Sequence, residues 1–152
     1  MAWYDSAVFY HMYPLGMVGA EKQNDGGEIR HRFSELDAFI PYLKVLGCDA
    51  IYIGPLFESG SHGYDTTDYK TVDRRLGTNA DFRHFVDTAH NYGIRVVVDA
   101  VFNHTGRGFF AFKDIQEKRW DSPYKDWYKG VGFDGGSPWG DSFHYSAWRG
   151  AG

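Results

Sequence analysis

Apolar and polar positions along the chain switch between short β-type runs and helical periodicity. Apolar runs rich in β-forming residues occur at Ala7–Pro14, Cys48–Pro55 and Ile94–Val101, and each has the length of a strand. Two stretches with a single apolar helical face, Arg30–Leu46 and Thr78–Gly93, lie between them. This order, with strand centres about 40 residues apart, predicts parallel strands joined by right-handed helical crossovers.

Both helical stretches carry start or stop signals. Gly47 stands where a left-handed residue ends the first helix, and Pro41 predicts a kink within it. Thr78 and Asp81 resemble a capping box at the start of the second helix, with Asp in place of Glu or Gln. A loop is expected from Leu56 to Gly77. The predicted buried faces comprise Phe33, Leu36, Ile40, Leu43 and Leu46 in the first helix and Phe82, Phe85, Val86 and Ala89 in the second.

The regular alternation fades after Val101. Residues 102–152 contain one helical candidate, Gly108–Lys118, within a segment rich in Gly, Trp, Tyr and Asp. A doubly wound nucleotide-binding domain is disfavoured because the sequence contains no G-x-G-x-x-G loop. A (β/α)8 TIM barrel needs about 250 residues. We therefore predict an α/β chain that forms a partial (β/α)8 barrel, with about its first three β/α units.

Composition narrows the class of protein. The chain has 152 residues, of which 43% are hydrophobic and 24% charged, so it is expected to fold. A net charge of −4 argues against a nucleic-acid or anionic-membrane partner. The single cysteine, Cys48, excludes an internal disulfide and a cysteine-based zinc cluster. The sequence shows neither a signal peptide nor a transmembrane run, which favours a cytoplasmic location.

Polar residues cluster where the predicted strands end. The segment Glu58–Tyr69 follows the second strand, and the third strand contains Asp99 and runs into Asn103 and His104. Barrel enzymes place their active sites at the carboxyl ends of the strands. A carboxylate within an apolar strand, such as Asp99, must be paired or hydrogen-bonded.

These segments carry a resemblance to a known family. Gly93–His104 resembles the first conserved region of the α-amylase family, glycoside hydrolase family 13, and Gly63–Tyr69 resembles the segment after its second strand. Phe109–Asp114 and Tyr124–Tyr128 resemble the start of domain B in members of the neopullulanase and cyclomaltodextrinase type. Several motifs therefore match in the same order along the chain.

The resemblance implies a (β/α)8 barrel with domain B inserted after the third strand. Residues 1–104 would then form the N-terminal part of the catalytic barrel, with strands one to three, and residues 105–152 the start of domain B. The family cleaves or transfers α-glucosidic bonds with retention of configuration, so the implied substrates are maltooligosaccharides, cyclodextrins or pullulan. One carboxylate attacks the sugar and a second protonates the leaving oxygen.

The resemblance also assigns roles to individual residues. Tyr64 would stack on the sugar at subsite −1, His104 would hydrogen-bond the hydroxyl groups of that sugar, and Asp99 would orient neighbouring polar groups. Asn103 corresponds to a position that binds calcium in many members, which implies calcium for the whole enzyme but none required by this chain. Four tryptophans could form a carbohydrate platform or pack domain B against the barrel, and the sequence leaves both open: Trp120, Trp127, Trp139 and Trp148.

No catalytic carboxylate is assigned to this chain. In the family the nucleophile follows the fourth strand and the acid/base residue follows the fifth, so we expect an N-terminal fragment that is inactive alone. Unpaired strand edges predict self-association or docking of a complementary barrel fragment. α-Glucan oligosaccharides are the expected ligands. The alternatives are a non-catalytic carbohydrate-binding or protein-interaction module, or one half of a split assembly.

Overall fold

Three short parallel strands position the rest of the molecule. In the computed structural model, which describes residues 1–147, these strands are β1 (Phe9–Met12), β2 (Ala50–Ile53) and β5 (Arg95–Val98). They pair in the order β1-β2-β5 and are parallel throughout. The predicted parallel arrangement is confirmed, although each strand is shorter than its apolar run.

The two faces of this sheet differ because side chains alternate along each strand. One face packs against the helices and contributes to the main core. The residues of this covered face are Tyr10, Met12, Ile51, Ile53, Val96 and Val98. The opposite face carries Phe9, His11, Tyr52 and Val97, of which Phe9 and His11 are exposed. We call this second surface the inner face of the sheet.

The predicted helix over Arg30–Leu46 is wrong as a single helix. After α1 (Pro14–Met17), the chain forms two short helices, α2 (Phe33–Asp37) and α3 (Ile40–Val45). Pro41 lies in the first turn of α3, where its missing N–H costs nothing, whereas a continuous helix would place its ring against the preceding turn. The break also turns Leu46 outward, and this residue is 54% exposed rather than buried.

The second helix follows its signals closely. α4 (Asn79–Asn91) begins with the predicted capping box, in which the Asp81 amide donates to Thr78 Oγ1 over 3.1 Å and the Thr78 amide donates to Asp81 Oδ2 over 2.7 Å. Gly93 has a φ of +70°, the left-handed conformation that commonly ends a helix and that favours glycine. Phe85 and Ala89 are buried as predicted. Within residues 1–147, no helix is both long and apolar enough to cross a membrane.

The predicted loop from Leu56 to Gly77 is wrong over most of its length. It contains an antiparallel hairpin of β3 (Phe57–Ser59) and β4 (Thr66–Val72), in which Ser59 pairs with Thr66. The β4 sequence has the β-branched and aromatic residues of a strand, but charged side chains interrupt it. The hairpin lies over the carboxyl end of the parallel sheet and carries several of the predicted site residues.

The C-terminal part of the described chain has its own small core. α5 (Phe110–Lys118) confirms the helix expected at Gly108–Lys118 and is followed by 3-10 turns at Arg119–Asp121 and Lys125–Trp127. A second hydrophobic cluster, separate from the main core, is formed by Phe112, Ile115 and Phe143 with partly buried aromatic neighbours. The division into 1–104 and 105–152 stays a prediction.

Candidate functional site

The site is built at the carboxyl edge of the parallel sheet. The backbone ladder continues one residue past the strands, because the Gly54 amide donates to Met12 O over 3.1 Å and the Asp99 amide donates to Ile53 O over 2.9 Å. Tyr13, Gly54 and Asp99 therefore emerge next to each other at this edge. The β3–β4 hairpin and the loop after β5 close over them.

The position of Asp99 requires a glycine at position 54 in the neighbouring strand end. A Cβ atom built on Gly54 would lie 2.2 Å from the Asp99 Cβ, which is far inside van der Waals contact. Asp99 follows β5 rather than lying within the strand, and it is half-buried. The expectation of a carboxylate inside a strand is therefore corrected: the strand ends one residue earlier and Asp99 points into the site from its end.

Two phenols are the neighbours of this carboxylate. Burial raises the pKa of Tyr52, and a hydrogen bond to Asp99 raises it further. Burial likewise raises the pKa of Tyr64, and the negative charge of Asp99 and a hydrogen bond to it act in the same direction. Both phenols therefore stay protonated beside the Asp99 carboxylate. Nothing in the sequence pattern placed Tyr52, from the middle of β2, in this group.

Tyr64 is presented by the turn of the hairpin. Gly63 precedes it with a φ of +96°, and a Cβ atom there would lie 2.4 Å from Pro55 Cγ, so a glycine is required. The Tyr64 amide donates to His62 Nδ1 over 3.2 Å. The Tyr64 residue is 39% exposed, so part of its ring is open to solvent.

His104 is brought directly against Tyr64. Its Nε2 atom lies 2.9 Å from the Tyr64 carbonyl oxygen, and Asn103 Nδ2 lies 3.5 Å from its Nδ1 atom. A tautomer with the proton on Nε2 satisfies both contacts, because Nε2 then donates to the carbonyl and Nδ1 accepts from the amide. His104 therefore fixes the loop that carries Tyr64, and its predicted bond to a sugar hydroxyl stays a prediction.

The hairpin and the loop after β5 are locked together at two further points. The Gly106 amide donates to Thr66 O over 2.7 Å, and a side chain at Gly106 would collide with the Asp65 backbone. The Tyr69 hydroxyl lies 2.6 Å from Val101 O and 2.7 Å from His104 O. Tyr69 was part of the recognised motif, but its role as a brace was not predicted.

The base of the hairpin contains a buried ion pair that sequence reasoning missed. Asp73 and Arg75 side chains are 0% and 5% exposed, and Arg75 Nη2 lies 2.7 Å from Asp73 Oδ2. Asp73 also accepts from the amide and hydroxyl of Ser59 over 3.2 and 2.9 Å. Arg75 donates to the Glu21 carbonyl over 2.7 Å. This network ties β3, the end of β4 and the loop after α1 into one unit.

The surroundings of Asn103 bear on the predicted calcium site. It is exposed, and residues 1–147 contain no group of three or more His, Cys, Asp or Glu side chains placed to hold an ion. The calcium ligand at Asn103 therefore stays a prediction.

The other acidic residues near the site have structural contacts. Glu58 lies 2.7 Å from Arg74 Nε and also accepts from Asn24 over 3.0 Å. Asp68 accepts from the Lys70 amide and the Thr71 hydroxyl, each over 2.8 Å. These contacts give both acids structural roles within the hairpin and its surroundings.

A cavity of about 460 Å³ adjoins the site on the side of the C-terminal segment. Asn103 and His104 form one wall, and Trp127, Trp139 and Tyr145 form others. The predicted group of tryptophans therefore divides. Trp120 packs against Phe133, with ring centroids 4.9 Å apart, whereas Trp127 and Trp139 line the cavity. Trp148 lies outside the described residues.

Comparisons with known proteins identify clear similarities. The family model for the alpha-amylase catalytic domain matches residues 36–151. Neopullulanase 2 from Thermoactinomyces vulgaris is 38% identical over 146 residues, and oligo-1,6-glucosidase from Heyndrickxia coagulans is 39% identical over 154 residues. These matches cover 83% and 97% of this chain. The chain spans about a quarter of the length of these relatives, 24% and 26% respectively.

Solved structures agree with the fold. The protein Ttha1563 from Thermus thermophilus superposes with a TM-score of 0.80 and 38% identity, over 97% of this chain and 34% of its own. A debranching enzyme from Nostoc punctiforme superposes with a TM-score of 0.75 and 34% identity, over 94% of this chain and 33% of its own. The described strands and helices thus match about a third of each of these larger proteins.

Proposed function

Because this chain belongs to the alpha-amylase family, we propose that it carries part of the sugar-binding site of a retaining α-glucan hydrolase or transglycosidase. Its ligands would be maltooligosaccharides or related α-glucans. The observation that carries the proposal is the cluster of Tyr64, Asp99 and His104 at the carboxyl edge of the parallel sheet. The relatives named neopullulanase and oligo-1,6-glucosidase support the substrate class.

The contacts of Tyr64, Asp99 and His104 assign each side chain a different part in sugar binding. The exposed part of the Tyr64 ring offers an apolar face to the carbon side of a glucosyl ring. The Asp99 carboxylate lies close enough to Tyr64 to raise the pKa of its phenol, and its oxygens can accept a hydrogen bond from a sugar hydroxyl. His104 holds the Tyr64 backbone from the other side. We propose that all three act by binding and positioning the sugar.

We propose that the nucleophile and the acid/base carboxylate come from sequence outside this chain. In retaining glycosidases the two carboxyl groups lie about 5–5.5 Å apart, one to attack and one to protonate the leaving oxygen. Glu58 and Asp68 are engaged in other contacts, which supports this assignment. A reducing-sugar assay on maltodextrin should accordingly give no turnover with the 152-residue chain, and turnover with it would contradict the proposal.

Replacing Tyr64 with alanine is expected to weaken maltotetraose binding by about tenfold or more, because the stacking surface and the partner of Asp99 are both removed. Isothermal titration calorimetry measures this. Tyr42→Ala is the matched control, since Tyr42 is 59% exposed but lies on α3, away from the site. Equal affinities for the Tyr64→Ala and Tyr42→Ala variants would contradict the role of Tyr64.

The open strand edges favour a second role as one part of an assembly. Within residues 1–147, β1 and β5 each pair only with β2, and Phe9 and His11 on the inner face of the sheet are exposed. Unpaired edges and an exposed apolar face promote pairing with another chain. We expect the purified chain to self-associate or to bind a complementary barrel fragment. Light scattering after size-exclusion chromatography tests this expectation. A stable monomer that does not bind such a fragment would contradict it.

A further inference from the structure

We propose that His62 is a pH-dependent positioning residue for Tyr64. The neutral imidazole of His62 holds the Tyr64 backbone in place, whereas protonation turns the imidazole toward Asp65 and releases Tyr64. This inference rests on the proposed function, because it assigns a form of regulation to the same site. Its consequence is that α-glucan binding weakens as the pH falls from 8 to 5.

The first argument is the hydrogen bond that the imidazole of His62 accepts. The Tyr64 amide donates to His62 Nδ1 over 3.2 Å, so the neutral ring carries its proton on Nε2. Protonation places a hydrogen on Nδ1 as well, and two facing N–H donors do not bond to each other. The contact that holds the Tyr64 backbone therefore exists only while His62 is neutral.

The second argument is an alternative acceptor beside the same nitrogen. Asp65 Oδ1 lies 3.7 Å from His62 Nδ1, and it is a buried oxygen without a hydrogen-bond partner among residues 1–147. The other carboxylate oxygen of Asp65 accepts from the Ser61 hydroxyl over 2.8 Å, which fixes the group. A buried acceptor without a partner costs free energy, so a proton on His62 Nδ1 gains a charge-assisted bond when the ring turns toward Asp65.

The third argument is that the imidazole has room to move while its backbone is anchored. The His62 side chain is 63% exposed, whereas the His62 carbonyl accepts from the Tyr13 hydroxyl over 3.1 Å. The rings of His62 and Tyr64 have centroids 6.1 Å apart and planes inclined by 37°, so they are neighbours. Protonation therefore changes the imidazole and the Tyr64 amide without moving the end of β1.

The other ionisable groups around His62 are of types that titrate outside this pH range. His62 lines a cavity of about 380 Å³ together with Tyr13, Glu21, Lys22 and Arg75. Tyrosine, lysine, arginine and carboxylic acid side chains ordinarily titrate outside pH 5–8, whereas histidine titrates within it. A hydrogen bond from Arg32 lowers the pKa of Glu21 to about 2, so this carboxylate stays negative throughout.

His104 is a second histidine that contacts Tyr64, and its contact survives protonation. Its Nε2 atom lies 2.9 Å from the Tyr64 carbonyl oxygen. An imidazolium ring donates from both nitrogens, so this bond persists in the charged form. A pH-dependent change at the Tyr64 amide is therefore assigned to His62.

The first test follows the 152-residue chain by nuclear magnetic resonance from pH 8 to pH 5 without a ligand. The Tyr64 amide shift should follow the same titration curve as the His62 ring nitrogens. In the His62→Asn variant the amide oxygen accepts in place of Nδ1 and does not titrate, so the Tyr64 amide shift should stay constant. A Tyr64 amide that does not respond while His62 titrates would overturn the proposal.

The second test measures maltotetraose affinity by calorimetry at pH 8 and pH 5. The parent chain should bind about two- to tenfold more weakly at pH 5, as the loss of one hydrogen bond predicts. His62→Asn should bind more tightly than His62→Ala and should show no dependence on pH. His84→Asn is the matched control, since the His84 side chain is 74% exposed on α4, and it should keep the pH dependence of the parent chain.

Together the two tests separate this inference from the proposed function. Binding that is equal at pH 8 and pH 5 in the parent chain would overturn the role of His62 and leave the proposed function standing. A Tyr64 amide that follows His62 in a chain that binds no maltotetraose would refute the proposed function, while the coupling of His62 to Tyr64 would be supported.

Discussion

Replacing Arg75 with methionine is expected to lower the free energy of unfolding by about 3–5 kcal/mol, because it leaves the Asp73 carboxylate buried without its cation. Burial alone would lower the pKa of Arg75, but hydrogen bonding to Asp73 and its charge outweigh burial and raise it, so the guanidinium stays charged in the fold. Both side chains are almost fully inaccessible to water. Urea unfolding followed by circular dichroism measures the loss.

Arg74→Met provides the neighbouring control. Arg74 is 37% exposed and pairs with Glu58 near the surface, where an ion pair contributes about 0–1 kcal/mol. A double variant, Asp73→Asn with Arg75→Met, should lose less than the sum of the two single variants, since each single change already breaks the same pair. Similar losses for Arg75→Met and Arg74→Met would contradict the importance of the buried network.

The Gly54→Ala variant is expected to lose about 1–3 kcal/mol of stability and to weaken maltotetraose binding by about tenfold or more. The added methyl group would lie 2.2 Å from the Asp99 Cβ, so the end of β5 must move. Asp99 would then leave its position beside Tyr64. Urea unfolding and calorimetric titration measure the two effects separately.

Gly135→Ala is the control for this change. The nearest atom to a Cβ at Gly135 lies 3.9 Å away, which is ordinary contact, so both stability and binding should stay close to those of the parent chain. Gly54→Ala would count against the proposed arrangement if it behaved in the same way. Loss of stability with full retention of binding would show that Asp99 is not required in its present position.

The sequence predicted the elements whose signals are local. The capping box at Thr78 and the glycine at Gly93 bound α4 because backbone groups at helix ends need specific partners. The parallel strands were predictable because each coincides with a short apolar run rich in β-forming residues. The β3–β4 hairpin was not predicted because Asp68 and Lys70 interrupt the apolar pattern of β4. One face of this strand meets solvent.

The site was predictable only in part, for a similar reason. Tyr64, Asp99 and His104 belong to contiguous motifs, so the resemblance identified them, although their roles remain proposals. Strand register places Tyr52 between β1 and β5 and below Asp99, which brings it into the site. No pattern in the β2 sequence distinguishes this residue from its neighbours. Arg75 pairs with a residue two positions away only because the hairpin buries both, and a sequence pattern alone predicts no such burial for charged residues.

The most direct test of the central claim is a backbone amide chemical-shift map of the chain during titration with maltotetraose. If the carboxyl edge of the sheet is the sugar site, the largest changes fall at Gly63–Asp65 and Asn103–Thr105, while α3 is unaffected. Saturable changes confined to the helices, or no change at all, would contradict the claim that Tyr64, Asp99 and His104 form a sugar-binding site.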